Sequence, residues 1–257
     1  MTKLNLILSP LEQFQVIPLL PIQLGSLDFT ITNVTLLMLV MFSLVAFFIN
    51  ALHAKDGTLK VFPGAWQSAI ELIYNLILSL VTDNIKSKEA QRFFPLVFTV
   101  FLGILVINLT GLVPYSFTLT SHLIVTFAVS LSVFIGINIV CARKHGMKMF
   151  ALFLPPGTSI ALAFLLVPIE FISYVFKPIS LSIRLFANMM AGHTLLKVIA
   201  GFAFALVSAS GVFFLVHLVP LLILIPLFGL ELGVALIQSF VFSVLISIYL
   251  NDALNLH

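Results

Sequence analysis

Apolar residues fall in long blocks along this chain, separated by short polar or basic segments. A helix that crosses a bilayer needs ~20 mostly apolar residues. Residues 33–52, 93–110 and 122–141 each satisfy that length. Two longer apolar stretches follow, 158–204 and 211–250. As straight helices each would reach ~60 Å or more, twice the ~30 Å hydrocarbon core. They must be broken or strongly tilted, yet neither contains a polar loop long enough to make two clean spans. Ser208-Ala209-Ser210-Gly211 between them reads as a tight turn. The pattern therefore predicts an antiparallel hairpin of two long, tilted helices. Residues 63–84 differ: Gln67, Glu71, Asn75 and Ser79 recur at four-residue spacing. That places a polar stripe on an apolar helix, the signature of an amphipathic helix lying in the membrane plane.

Charge decides between spanning and lying flat. Lys55 and Lys60 precede residues 63–84, and Lys86, Lys88 and Arg92 follow them. A spanning helix would place these basic groups on opposite sides, against the positive-inside rule. A flat helix leaves them on one side with Arg143, Lys144 and Lys148, while the loops 111–120 and 208–211 carry no charge. The expected fold is an all-α membrane protein of five membrane-embedded helices plus one in-plane amphipathic helix, the last two forming the long hairpin. Residues 1–257 make a single integral membrane domain, with the N-terminus outside and the basic loops and C-terminus inside.

Composition narrows the function. The chain is 61% hydrophobic and 8% charged, against roughly 25% charged in soluble domains. There is no room for a sizeable soluble domain, and a net charge of +3 is too small to imply nucleic-acid binding. The single cysteine, Cys141, excludes an internal disulfide, and no Cys/His group has metal-ligand spacing. No phosphate-cradling glycine loop occurs, so no nucleotide, cofactor or metal is expected. Residues 1–8 are too short for a normal secretory signal and lack a transit-peptide pattern. They either stay or form a short leader clipped before Ser9.

Between residues 156 and 250 only Glu170, Lys177, Arg184, Lys197 and Glu231 are formally charged. Arg184 cannot escape by deprotonation, since its pKa lies above ~12. Unpaired in hydrocarbon it costs ~2.5–3.5 kcal/mol on insertion scales. At ~100° per residue, Glu170, Lys177 and Asn188 fall within ~40° of Arg184. His193 and Lys197 point elsewhere on a straight helix. Glu170 lies toward the inside and His193 toward the outside, with Arg184 between them. On the last helix Glu231 and Gln238 share a face, and Asp252 sits near the inner end, ~30 Å from Glu231 along the axis. Proton relays in membranes are built from Asp, Glu and His. Chemistry alone leaves other readings open. Arg184 as a structural partner of Glu170 or Glu231 is one, and a His193–Glu231 pair that merely holds the hairpin is another. Asn188 and Gln238 as interhelical glue and Asp252 as a solvated carboxylate are also open. A secondary transporter is disfavoured by the lack of internal repeats. A pure scaffold would not need these charges in apolar surroundings.

The run Lys177-Pro178-Ile179-Ser180-Leu181-Ser182-Ile183-Arg184-Leu185-Phe186-Ala187-Asn188-Met189-Met190-Ala191-Gly192-His193 resembles the signature of subunit a of F-type ATP synthases. Ser9-Pro10-Leu11-Glu12-Gln13-Phe14 resembles the mature N-terminus of fungal mitochondrial members. Pro114-Tyr115-Ser116-Phe117 with His122, and Tyr249-Leu250-Asn251-Asp252-Ala253, also fit. The resemblance covers essentially the whole chain. It implies a stationary, non-catalytic, proton-conducting subunit beside a rotating ring of c subunits (the c-ring), each bearing one essential carboxylate. Peripheral-stalk and other small membrane subunits are implied as further partners, with the lipid bilayer around them and protons as cargo. Arg184 matches the essential arginine, and Asn188 the polar residue one turn along. Glu170 and Asp252 match acids of the matrix-side half-channel. His193 and Glu231 match the pair of the intermembrane-space half-channel in its mitochondrial arrangement, and Gln238 a neighbour of it. Lys177 matches a commonly basic position without an assigned role. The implied location is the mitochondrial inner membrane, with 158–204 and 211–252 as the proton-path helices.

Overall fold

Helices form where the apolar blocks fall. The computed structural model describes residues 14–24, 27–51, 64–85, 89–113, 116–153, 160–208 and 216–255. Among them are α1 (Asn33–Ala51), α2 (Ala65–Asn84), α3 (Ala90–Gly111), α4 (Leu123–His145), α5 (Ile160–Ser208) and α6 (Leu218–Leu254). Four of these, α3 to α6, are long and apolar enough to cross a membrane, and α1 carries a shorter apolar segment, Asn33–Phe47. The chain is thus a multi-pass, almost entirely helical membrane protein. Residues 1–8, the lysines at 55, 60, 86 and 88, and most of the turn expected at 208–211 lie outside the described residues.

One element was not expected from the sequence. Residues 18–32 form two small antiparallel ladders, β1 (Pro18–Leu20) with β4 (Ile31–Thr32) and β2 (Gln23–Leu24) with β3 (Leu27–Asp28). Asn33 ties this hairpin to α1. Its side chain accepts from the backbone N–H of Ile17 (3.2 Å) and Val34 (3.0 Å) and donates to the carbonyl of Gln15 (3.1 Å). These bonds satisfy donors at a helix start that would otherwise lack partners.

The long hairpin is present. α5 is 49 residues and α6 is 37, and they pack against each other. The pairs His193–Glu231 and Lys177–Asp252 run in opposite senses along the two helices, so the helices are antiparallel. α5 continues through Pro168 and Pro178. Each proline removes one backbone donor from the helix ladder. At the second, the Pro178 carbonyl accepts the buried Ser130 hydroxyl of α4 (3.0 Å).

The core lies where α2, α3 and α6 meet. Ile70, Ile77, Leu80 and Val81 form the buried face of α2, which packs on α3 and α6. Tyr74 sets its ring edge against Phe94 and Phe98 of α3. Inside a bilayer lipid tails are as apolar as leucine, so burial alone drives little helix association and close approach matters more. α6 supplies that approach. Ala235, Ser239, Ser243 and Ser247 are all fully buried. Ser243 and Ser247 donate to the carbonyls four residues back (3.0 and 2.9 Å), and Ser239 donates to Leu236 (2.7 Å). The stripe is therefore narrow and leaves no hydroxyl unpaired.

The inner ends are fastened by polar contacts. α4 ends at Gly146, whose φ of +58° favours glycine. Arg143, Lys144 and His145 occupy its last turn, where cations suit the helix dipole. Lys144 pairs with Glu89 at 3.1 Å, and the His145 ring nitrogen Nε2 lies 3.1 Å from the Leu254 carbonyl.

Candidate functional site

The polar residues of the hairpin fall into a pair toward the α5–α6 connection, here called outer, a central cation, and a cluster toward the C-terminal end of α6, here called inner. At the outer level, His193 of α5 and Glu231 of α6 face each other, with Nδ1 to Oε1 at 3.2 Å. Their side chains are 13% and 3% exposed. Glu231 lies directly on the backbone of Gly192, where a Cβ would stand 2.7 Å from Oε1 and 3.1 Å from Cδ. The other face of the imidazole approaches the end of α3. A Cβ on Gly111 would lie 3.7 Å from His193 Nε2 and would collide with the Thr118 methyl. Two glycines thus shape this pocket by what they lack.

Nε2 of His193 and both carboxylate oxygens of Glu231 are buried without a hydrogen-bond partner among the described residues. The 3.2 Å approach is in ion-pair range but is not aligned as a hydrogen bond. Buried polar groups need partners. A cleft of about 50 Å³ beside them is lined by Asn188, Gly192, Glu231 and apolar side chains of both helices, and a single water needs only ~10–15 Å³ of such space. Glu231 and Asn188 therefore share one small cleft among apolar side chains. Gln238, seven residues beyond Glu231, is half-buried on α6.

Asn108 of α3 adds a buried amide at this level. It donates to the Ala235 carbonyl (3.4 Å), one turn from Glu231. The sequence pattern did not single it out, because a lone Asn in an apolar helix carries no periodic signal.

Arg184 stands one helical turn inward from Asn188. Its side chain is exposed on the surface of the chain. Among the described residues it has no ion-pair partner. The structural pairing with Glu170 or Glu231 that chemistry alone left open is absent: Glu231 faces His193, and Glu170 is half-buried without an ion pair among the described residues.

The inner cluster is more closely built than the sequence indicated. Lys177 Nζ lies 3.7 Å from Asp252 Oδ2, so Asp252 is paired and not simply solvated. The same ammonium sits 4.8 Å from the Tyr249 ring centre and 5.3 Å from that of Tyr174, within cation–π range of ~6 Å. The Tyr174 hydroxyl donates to Asn138 of α4 at 2.6 Å. Glu170 lies two turns further inward on α5, outside this cluster.

The arrangement offers protonatable groups on two levels with one permanent cation between them. Along α5, His193 is ~13 Å outward of Arg184 and Glu170 ~21 Å inward. No group of three or more metal-ligating side chains occurs among the described residues.

Similarity to known proteins extends over nearly the whole chain. Residues 34–251 match the family described as ATP synthase A chain. The chain is 50% identical over 251 residues to ATP synthase subunit a of Marchantia polymorpha, covering 97% of this chain and 99% of the relative. It is 52% identical over 249 residues to ATP synthase subunit a of Pylaiella littoralis, with 97% and 99% covered. The protein of the same description from Chondrus crispus is 48% identical over 252 residues, with 98% of each covered.

Proposed function

This chain belongs to the ATP synthase A chain family, and from that we propose that it works as the stationary proton-translocating subunit of an F-type ATP synthase, with Arg184 separating two half-channels. It is not an enzyme alone; it conducts protons for the complex. The carrying observation is that Arg184 is exposed and has no ion-pair partner among the described residues, while His193–Glu231 and Glu170 with Asp252 lie on either side of it.

In this reading a proton enters from outside through His193 and Glu231, with Gln238 beside them, and passes the cleft at Asn188. It neutralises a carboxylate on a rotating c-ring. A neutral site can then face lipid, which an ionised one could hardly do. After nearly a full turn the site meets the inner half-channel and loses its proton toward Glu170 and Asp252. The resulting carboxylate passes Arg184 as an anion. The fixed positive charge favours that ionised form and, because arginine keeps its proton, blocks a direct proton wire between the channels.

The finer assignments follow the same reading. The His193–Glu231 arrangement favours a mitochondrial subunit in the inner membrane, with the N-terminus in the intermembrane space and the C-terminus in the matrix. A fungal affinity rests on Ser9–Phe14 alone, while the relatives named above come from a liverwort and two algae. Peripheral-stalk and small membrane subunits are the other partners. The helix 65–84 lies in the membrane plane.

The test is Arg184→Ala in the complete complex. Proton-driven ATP synthesis is expected to disappear while a passive proton leak through the membrane sector remains. Synthesis at normal rates would sink the assignment.

A further inference from the structure

Lys177 has no place in the proton path just described, yet it has an ion pair and two aromatic rings around it. Three helices hold it. α6 supplies Asp252 at 3.7 Å and the Tyr249 ring at 4.8 Å. Its own helix supplies the Tyr174 ring at 5.3 Å, and α4 fixes that ring through the 2.6 Å bond from the Tyr174 hydroxyl to Asn138. Lys177 also shares a helical face with Arg184, seven residues or ~10 Å away along the axis. It lies on the inner side of Arg184, toward the end of α6 that carries Asp252. Tyr249, one turn before Asp252, packs its ring on Lys177.

A carboxylate tethered in the same chain competes with an incoming one at high effective concentration. An arginine that must release and recapture a carboxylate at each step of rotation cannot tolerate such a competitor. We propose that Lys177 is a positioning residue that holds the Asp252 carboxylate away from Arg184, so that the arginine keeps no counterion of its own and stays open to the ring. The inference rests on the function proposed above. Its physical content is a competition between two cations for one anion, settled by the tyrosine cage in favour of the lysine. Arg184 accordingly shows no ion pair among the described residues, although Asp252 lies on the helix packed against it.

The test is a double-mutant cycle in membrane vesicles carrying the complete ATP synthase, with rates taken per assembled complex. Lys177→Gln is expected to slow proton-driven ATP synthesis by at least about tenfold, since it strands a carboxylate that then turns to Arg184. Lys177→Arg, which keeps the charge, is expected to run within about twofold of the unmodified complex. The decisive variant is Lys177→Gln combined with Asp252→Asn, read against Asp252→Asn alone, which is expected to keep measurable synthesis because Glu170 remains to take the proton. With the competitor gone, the double variant should match Asp252→Asn alone within about twofold, even if Lys177→Gln by itself is inactive. A double variant slowed by the product of the two single effects overturns the inference, as does full activity in Lys177→Gln. Arg184→Ala in the same vesicles separates the two ideas. If it keeps synthesis, the proposed function fails; if it does not and the cycle is multiplicative, only the role of Lys177 fails.

Discussion

Glu231 owes its position to a missing side chain on the neighbouring helix. A Cβ on Gly192 would meet Oε1, Cδ and Cγ of Glu231 within 3.3 Å, so the carboxylate must shift to make room. Gly192→Val should therefore displace the acid while leaving every protonatable group in the chain. Misplacing a reacting group by ~1 Å can cost ~100-fold, and a fall of at least about tenfold in proton-driven ATP synthesis per assembled complex is expected on that basis. Gly201→Ala, on the same helix with nothing within 4 Å, serves as the control and should leave the rate unchanged. Equal rates for both variants would show that Glu231 is not held by this contact. The charged residues were legible in the sequence because a charge in an apolar run needs a reason. Gly192 and Gly111 were not, since what they accommodate comes from other helices. The Lys177–Asp252 pair was hidden for the same cause: its partners are 75 residues apart, and only the antiparallel packing of α5 on α6 joins them.

At the scale of elements, spacing carried most of the information. The four-residue polar stripe of α2 implied an opposite apolar face, and Ile70, Ile77, Leu80 and Val81 are that face. If α2 lies in the membrane plane, single cysteines at Lys55 and Lys88 should both react with a membrane-impermeant thiol reagent from one side only. Labelling from opposite sides would mean that α2 spans. The small-residue stripe of α6 is a second test. Ser243 is fully buried and its hydroxyl bonds within its own helix. Ser243→Leu forces extra atoms into a close contact, at a cost of ~1–3 kcal/mol. Ser243→Ala loses a bond of ~1 kcal/mol or less. The thermal midpoint of the detergent-solubilised complex should fall clearly for leucine and barely for alanine. Equal shifts would place the serine away from any tight contact. The hairpin of strands at residues 18–32 was missed because its strands are two or three residues long, too short for alternation to register. Its link to α1 depends on the side-chain bonds of Asn33.

For the whole molecule, the described polar groups of the hairpin fall on two levels with Arg184 between them. The outer pair opens toward Asn188, and the inner cluster gathers Asp252, Tyr249 and Tyr174 around Lys177. Arg184 between them is exposed at a depth where hydrocarbon is the alternative surrounding, which costs ~2.5–3.5 kcal/mol on insertion scales. The proposed function supplies its counterion from a ring subunit. The most direct measurement is a structure of the assembled membrane complex at a resolution that places side chains. The expected result is the Arg184 guanidinium within about 4 Å of a carboxylate from a neighbouring ring subunit, with Asp252 still on Lys177. Finding Arg184 paired instead with Glu170, Glu231 or Asp252 of its own chain, turned away from any ring carboxylate, would contradict the account.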